Sequence, residues 1–234
     1  MYHKLIYIFI ISFLLFSCSK KEVVVTTPSN NEDKSLEVYN EATIALEEGQ
    51  YYYASSKFLE AENILPTVEG SAKASLMSSY CLYLINFYSE AEEGLERFIR
   101  KYPADKNITY AYYLLAIINY EQILDESKDI TPLLTSKEKI VDFLERYPDT
   151  EYALDLKFKL DLIDNQLAAK EIYIAKYYIE TKKWIPAINR LKIVVKNYDE
   201  TIFIEEALHR LVEVYYMIGL EEEAKTTAAL LGYN

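Results

Sequence analysis

Apolar and small residues return along this chain every three to four positions, the period of helices that bury one stripe, rather than in the strict alternation of a strand. The pattern predicts helices over about 35–49, 51–65, 71–87, 89–102, 107–124, 133–147, 168–182, 184–198, 202–217 and 221–231. Gly49 and Gly219 fall just after the first helices of two pairs, where a left-handed cap is needed. Residues 150–182 contain no Gly or Pro and carry Leu154, Phe158, Leu162, Ile163, Leu167, Ile172 and Ala175 at helical spacing, so they predict one long or kinked helix. The polar run 125–132, DESKDITP, reads as an insertion between the two helices of the third pair.

The helices are periodic in chemistry as well. Ala54, Phe58, Ala61 and Pro66 recur as Ala91, Leu95, Phe98 and Pro103, 37 residues on. Ser136, Ile140, Phe143 and Pro148 form a weaker copy, Ala187, Leu191 and Val194 another, and Ala224 and Ala228 take the places of Ala187 and Leu191. This is the spacing of the second helix of a tetratricopeptide repeat: the small residue lets paired helices approach, the large one fills the gap, and proline ends the pair. A single hairpin cannot bury its own apolar face, whereas stacked hairpins can. The expected fold is therefore all-α, a solenoid of five helix hairpins. The long helix divides it into N-terminal repeats over 35–149 and C-terminal repeats over 150–234.

The first 34 residues follow a different pattern. One cation, Lys4, precedes a stretch from Leu5 to Phe16 without charge, then Ser17 and Cys18. That stretch is short for a membrane span, which needs about 20 apolar residues, and suits a secretory signal over 1–17. Leu15, Ser17 and Cys18 resemble the lipobox of bacterial lipoproteins, in which the cysteine is acylated and becomes the mature N-terminus; Phe16 is larger than the residue usual there. Two or more acyl chains give stable anchoring. Ser19 after the cysteine resembles the export signal for the outer membrane. Residues 19–34 are polar, and a tether of that length reaches about 50 Å when extended.

Charge and composition narrow the function. The net charge of −12 becomes −13 once the leader with Lys4 is removed, which opposes nucleic-acid binding. With Cys18 lipidated, Cys81 is the remaining thiol and reads as a buried core residue. His209 is the one histidine outside the leader, and with a single cysteine it offers neither a metal site nor a serine-hydrolase triad. No phosphate-binding glycine loop is present, so no cofactor is expected, and the carboxylates scatter at helical spacing as solvated faces. These features point to a scaffold rather than an enzyme.

Several stretches carry a closer likeness: Glu96-Arg97-Phe98-Ile99-Arg100 followed by Asn107, Ile108 and Tyr110; Arg146-Tyr147-Pro148; and Ala175, Tyr177 and Tyr178 leading to Trp184 and Asn189-Arg190. Over about 36–232 the chain resembles the BamD family, outer-membrane lipoproteins of the β-barrel assembly machinery. The resemblance implies a lipid-anchored scaffold facing the periplasm. Its C-terminal half would dock the periplasmic domains of BamA, its N-terminal half would receive unfolded outer-membrane proteins, and other lipoproteins of the complex would join it. The family's docking arginine maps onto Arg190; read from the residues alone, Arg190 is an ion-pair partner for a nearby carboxylate, worth about 0.2–1 kcal/mol if exposed.

Repeat geometry supplies the residues of a client groove. Counting back from the alanine anchors, the concave side takes Leu36, Tyr39, Thr43 and Leu46, then Leu76, Tyr80 and Tyr83, then Tyr110, Tyr113, Ile117 and Tyr120. Tyrosine rings with free hydroxyls suit an extended apolar segment. The 23 tyrosines of the chain equally suit half-buried packing positions. Trp184 reads as a packing anchor for the fourth hairpin. The alternative to barrel assembly is a repeat lipoprotein that coordinates cell-wall or division enzymes through the same groove.

Overall fold

The computed structural model describes residues 31–123 and 130–232, with side chains from residue 33 onward. Cys18, the signal, and most of the tether and of the polar insertion lie outside the described residues. Ten helices follow one another among those described: α1 Asn31–Glu47, α2 Tyr51–Ile64, α3 Val68–Leu84, α4 Tyr88–Lys101, α5 Ile108–Glu121, α6 Thr131–Arg146, α7 Glu151–Glu180, α8 Trp184–Asn197, α9 Ile204–Met217 and α10 Glu221–Leu231. Each packs on its sequence neighbours, and α7 also reaches α5. This is the expected solenoid of five hairpins.

Several helix ends fall two to four residues from expectation, α3 at Val68–Leu84 against 71–87 among them, and two of the shifts have a local cause. Helix α1 begins at Asn31, inside the expected tether, with Asp33 in the first turn where the helix dipole favours an acid. Ser35 is already fully buried. Helix α6 begins at Thr131, because Pro132 is accepted in a first helical turn, where its missing N–H would have no partner anyway.

Four of the five hairpin turns share one device. After α1, α3, α7 and α9 the chain takes a positive φ at Gly49 (77°), Asn86 (60°), Lys182 (57°) and Gly219 (81°). At each, paired backbone bonds close the helix: Gly49 N to Leu46 O and Gln50 N to Ala45 O in the first, Gly219 N to Tyr216 O and Leu220 N to Tyr215 O in the last. This is the Schellman cap, which satisfies carbonyls that the helix end leaves open. Asn86 and Lys182 hold it without glycine, at a cost for Lys182 of about 1–2 kcal/mol. The second helices end differently. Leu65, Tyr102 and Tyr147 stand before Pro66, Pro103 and Pro148, leave the helical region, and each N–H bonds back to the carbonyl four residues earlier.

The repeat anchors occupy the core as expected. Ala54, Phe58 and Ala61, then Ala91, Leu95 and Phe98, then Ser136, Ile140 and Phe143, then Ala187, Leu191 and Val194 are all buried. Ala224 is buried too, but Ala228 is exposed, because no further described helix packs on α10. Cys81 lies in the first cluster with Val38, Ala42 and Phe58, where burial pushes its thiol up to about 12. Trp184 packs, half-buried, on the last cluster, as expected of an anchor.

Helix α7 carries two clusters. Its first half supplies Ala153, Leu156, Ile163 and Leu167 to a core shared with Ala116, Ile117, Ile140 and Phe143. Its second half supplies Ala168, Ile172 and Ala175 to the core of the last two hairpins. The expected division at 149/150 therefore falls within a packed cluster, and α7 joins the two halves. Its buried stripe runs through 153, 156, 163 and 167, which leaves Leu154, Phe158 and Leu162, expected to be part of the apolar period, on the exposed side.

A buried carboxylate ties α2 to α4. The Glu62 side chain is 3 % exposed and accepts from Lys101 Nζ at 2.8 Å and Tyr102 Oη at 3.0 Å. Burial alone would raise its pKa, but the Lys101 and Tyr102 hydrogen bonds outweigh it and leave the carboxyl below its ordinary 4.5. A depressed carboxyl stabilises the fold above its unfolded pKa and loses that contribution as pH falls through the folded value. Glu62→Gln is expected to cost about 1.5–3 kcal/mol at neutral pH, the range for a hydrogen bond to a charged group. The variant should also flatten the loss of stability below about pH 4.5, as thermal melts across pH will show.

Candidate functional site

One face of the second, third and fourth hairpins is paved with tyrosine. Tyr80 and Tyr83 on α3, Tyr110, Tyr113 and Tyr120 on α5, and Tyr152 on α7 come together because the first helix of each successive pair presents the same turn to this side. Ring centroids are 6.2 Å apart for Tyr80 and Tyr83, 6.2 Å for Tyr110 and Tyr113, 5.8 Å for Tyr110 and Tyr152, and 4.6 Å for the stacked pair Tyr113 and Tyr152. Tyr88, opening α4, extends the row at 6.4 Å from Tyr83. Phe143 lies beneath, edge-on to Tyr113 at 6.4 Å.

The phenols are held by acids. Tyr83 Oη donates to Glu121 Oε1 at 2.9 Å and Tyr88 Oη to Glu121 Oε2 at 3.1 Å. Tyr113 Oη donates to Asp155 Oδ2 at 2.9 Å, while Lys159 Nζ pairs with Asp155 Oδ1 at 2.8 Å and stands 5.4 Å over the Tyr120 ring. Burial first, and the accepting carboxylates second, raise the Tyr83 and Tyr113 phenols well above their usual range; burial pushes Tyr110 up to about 12. These hydroxyls stay protonated at physiological pH, and the rings form a neutral, half-buried surface with acids along it.

Of the residues expected in the groove, Tyr80, Tyr83, Tyr110, Tyr113 and Tyr120 share this face. Leu76 is only 5 % exposed and belongs to the core between α3, α4 and α5, and Ile117 is likewise interior. Tyr39 stands apart in the first hairpin, edge-on to Phe58 at 5.4 Å with Lys73 Nζ 5.7 Å from its ring. Counting from the alanine anchors missed Tyr88, Tyr152, Glu121, Asp155 and Lys159. The spacing of Tyr152, Asp155 and Lys159 at i, i+3 and i+7 on one helix face was the available signal.

The C-terminal half offers a second surface. Arg190 on α8 donates from Nη1 to both oxygens of Glu171 on α7, at 3.3 and 3.1 Å, with side chains 39 % and 15 % exposed. Lys176 on α7 and Arg210 on α9 both pair with Glu206, each at 2.7 Å. Tyr173 and Tyr177 on α7 and Tyr216 and Met217 on α9 are exposed. Tyr178 is half-buried 5.7 Å from Tyr177, so the two adjacent tyrosines face different surroundings. Arg190 thus makes the interhelix ion pair that its neighbouring carboxylates suggest, and its side chain stays partly at the surface.

Stacked helix pairs, an aromatic face and ion-paired junctions define the class of the molecule, a helical-repeat scaffold. Among the described residues no helix is long and apolar enough to cross a membrane. The family model YfiO, described as an outer membrane lipoprotein, matches residues 31–230, and the chain belongs to that family. It is 39 % identical over 204 residues to the outer membrane protein assembly factor BamD of Caulobacter vibrioides, covering 87 % of this chain and 67 % of that protein. To the factor of the same name in Rickettsia prowazekii it is 40 % identical over 197 residues, covering 84 % and 78 %. The Vibrio cholerae BamD is 26 % identical over 232 residues, covering 94 % of both chains. The resemblance carried by the sequence motifs is the family relationship of the whole solenoid.

Proposed function

We propose that this chain is a non-enzymatic scaffold of outer-membrane β-barrel assembly, anchored by lipid on Cys18 to the periplasmic side of the outer membrane. It docks the periplasmic domains of BamA through its C-terminal hairpins, with Arg190 in the contact, holds unfolded barrel proteins on the tyrosine face, and works beside other lipoproteins of the complex. The observation that carries this reading is the family match across 31–230, which takes in both the tyrosine face and the Arg190 junction. The arrangement suits the task. Rigid half-buried rings contact an extended apolar chain at low entropic cost, and the solenoid places that face and the C-terminal hairpins on successive repeats.

The Arg190 pair gives the test. Arg190→Leu is expected to weaken binding of purified BamA periplasmic domains about tenfold or more in calorimetry, the loss of one charge-assisted contact. Its melting should change by no more than the roughly 0.2–1 kcal/mol of a part-exposed pair. Glu171→Gln, which releases Arg190, should leave docking intact. Equal loss of stability in both variants, with binding unchanged in Arg190→Leu, would make the arginine a structural partner only.

A further inference from the structure

We infer that Glu121, with the Tyr83 and Tyr88 rings, is a subsite for a lysine or arginine side chain of the segment held on the tyrosine face. The inference deepens the client-binding reading and rests on it. Its basis is a pattern repeated through the molecule. Among the described residues three carboxylates besides Glu121 accept a tyrosine hydroxyl, and each is completed by a lysine: Glu41 takes Tyr53 Oη and Lys57 at 3.1 Å, Glu62 takes Tyr102 Oη and Lys101 at 2.8 Å, and Asp155 takes Tyr113 Oη and Lys159 at 2.8 Å. In each the lysine also stands over a tyrosine ring, 5.7 Å from Tyr53, 5.1 Å from Tyr102 and 5.4 Å from Tyr120.

Glu121 has the same acceptor chemistry twice over, with Tyr83 and Tyr88 donating to its two oxygens. Among the described residues no cation pairs with it. The carboxylate is exposed and the two rings are half-buried, so an incoming ammonium or guanidinium can reach both the charge and a ring face. The Tyr83 proton goes to Glu121 and the single Tyr88 proton is shared between Glu121 and Asn86 Oδ1, 3.0 Å away, so this end of the face offers acceptor oxygens, negative charge and ring π-faces. A carboxylate, including a chain's own C-terminus, meets repulsion here, whereas a cation meets attraction from ring and acid together. The net charge of −12 adds a long-range field of the same sign.

The test uses the full mature chain and two fluorescein-labelled peptides of alternating phenylalanine and threonine, one with a central lysine and one with norleucine in its place. The lysine peptide is expected to bind about five- to tenfold more tightly, the combined effect of one exposed cation–ring contact and one exposed ion pair, with the preference shrinking in high salt. Glu121→Gln should erase the preference, so that the two peptides bind the variant equally. Tyr88→Leu, which leaves the Tyr83 hydrogen bond in place, should reduce it part-way. Equal binding of the two peptides to the native chain, weakened by Tyr110→Ala, would overturn the cation subsite and leave the client face standing. Failure of both peptides to bind would overturn the client face itself, and an unaltered preference in Glu121→Gln would place the cation elsewhere.

Discussion

A chain ended at Asp149 is expected to lose cooperative folding of its third hairpin rather than persist as an intact client-binding half. The sequence pattern suggests a clean division there, since stacked hairpins touch mainly their neighbours. The packing decides otherwise. Leu156, Ile163 and Leu167 of α7 cover Ile117, Ile140 and Phe143 on α5 and α6. At about 1.5–3 kcal/mol for each buried side chain, removal of those three alone forfeits about 5–9 kcal/mol, comparable with the whole stability of a typical domain. Tyr152, which stacks on Tyr113, goes with them. The shortened chain should melt broadly and bind a hydrophobic dye, whereas a chain ended at 182 should retain the tyrosine face and a sharp transition. A sharp, native-like melt for the 149-residue form would show that α7 is dispensable to the N-terminal core.

Phe143→Ala should have the second-largest effect and connect core to function. Its ring is 1 % exposed, the large residue of the third anchor set, and it touches Tyr113 on one side and Tyr147 at 5.3 Å on the other. The cavity and lost contacts are expected to cost about 3–5 kcal/mol. Because Tyr113 rests on this ring, the variant should also loosen peptide binding at temperatures where it remains folded. Phe143→Leu, which keeps most of the volume, should recover most of both. Chemical denaturation with peptide titration on the same samples checks the pair; an alanine variant with native binding would uncouple the face from its support.

What the residues alone disclosed, and what they did not, follows from the range of the forces involved. The anchor sets, the Schellman turn at Gly49 and Gly219 and the proline stops are local, repeat along the chain, and are visible as spacing. Lys182 breaks the glycine preference at the same turn, so composition does not mark it. On α7 a chain of apolar residues around much of the helix hides which stripe is inside. Leu156 and Ile163 are buried and Leu154 and Phe158 exposed because α5 and α6 lie on one side only. Leu76 occupied a plausible groove position but turns into the core between α3, α4 and α5. The acids that organise the face, Glu121 and Asp155, lie 38 and 42 residues from the phenols Tyr83 and Tyr113. Pairing at that distance is set by the stacking of repeats, which no local spacing records.

The most direct test of the central claim is purification of the lipidated chain from its native envelope, with mass-spectrometric identification of what accompanies it in the native and Arg190→Leu forms. The scaffold account expects a large barrel protein with periplasmic domains in stoichiometric amount, reduced in the variant, together with radiolabelled lipid on Cys18. Recovery of cell-wall or division enzymes without that barrel would contradict it.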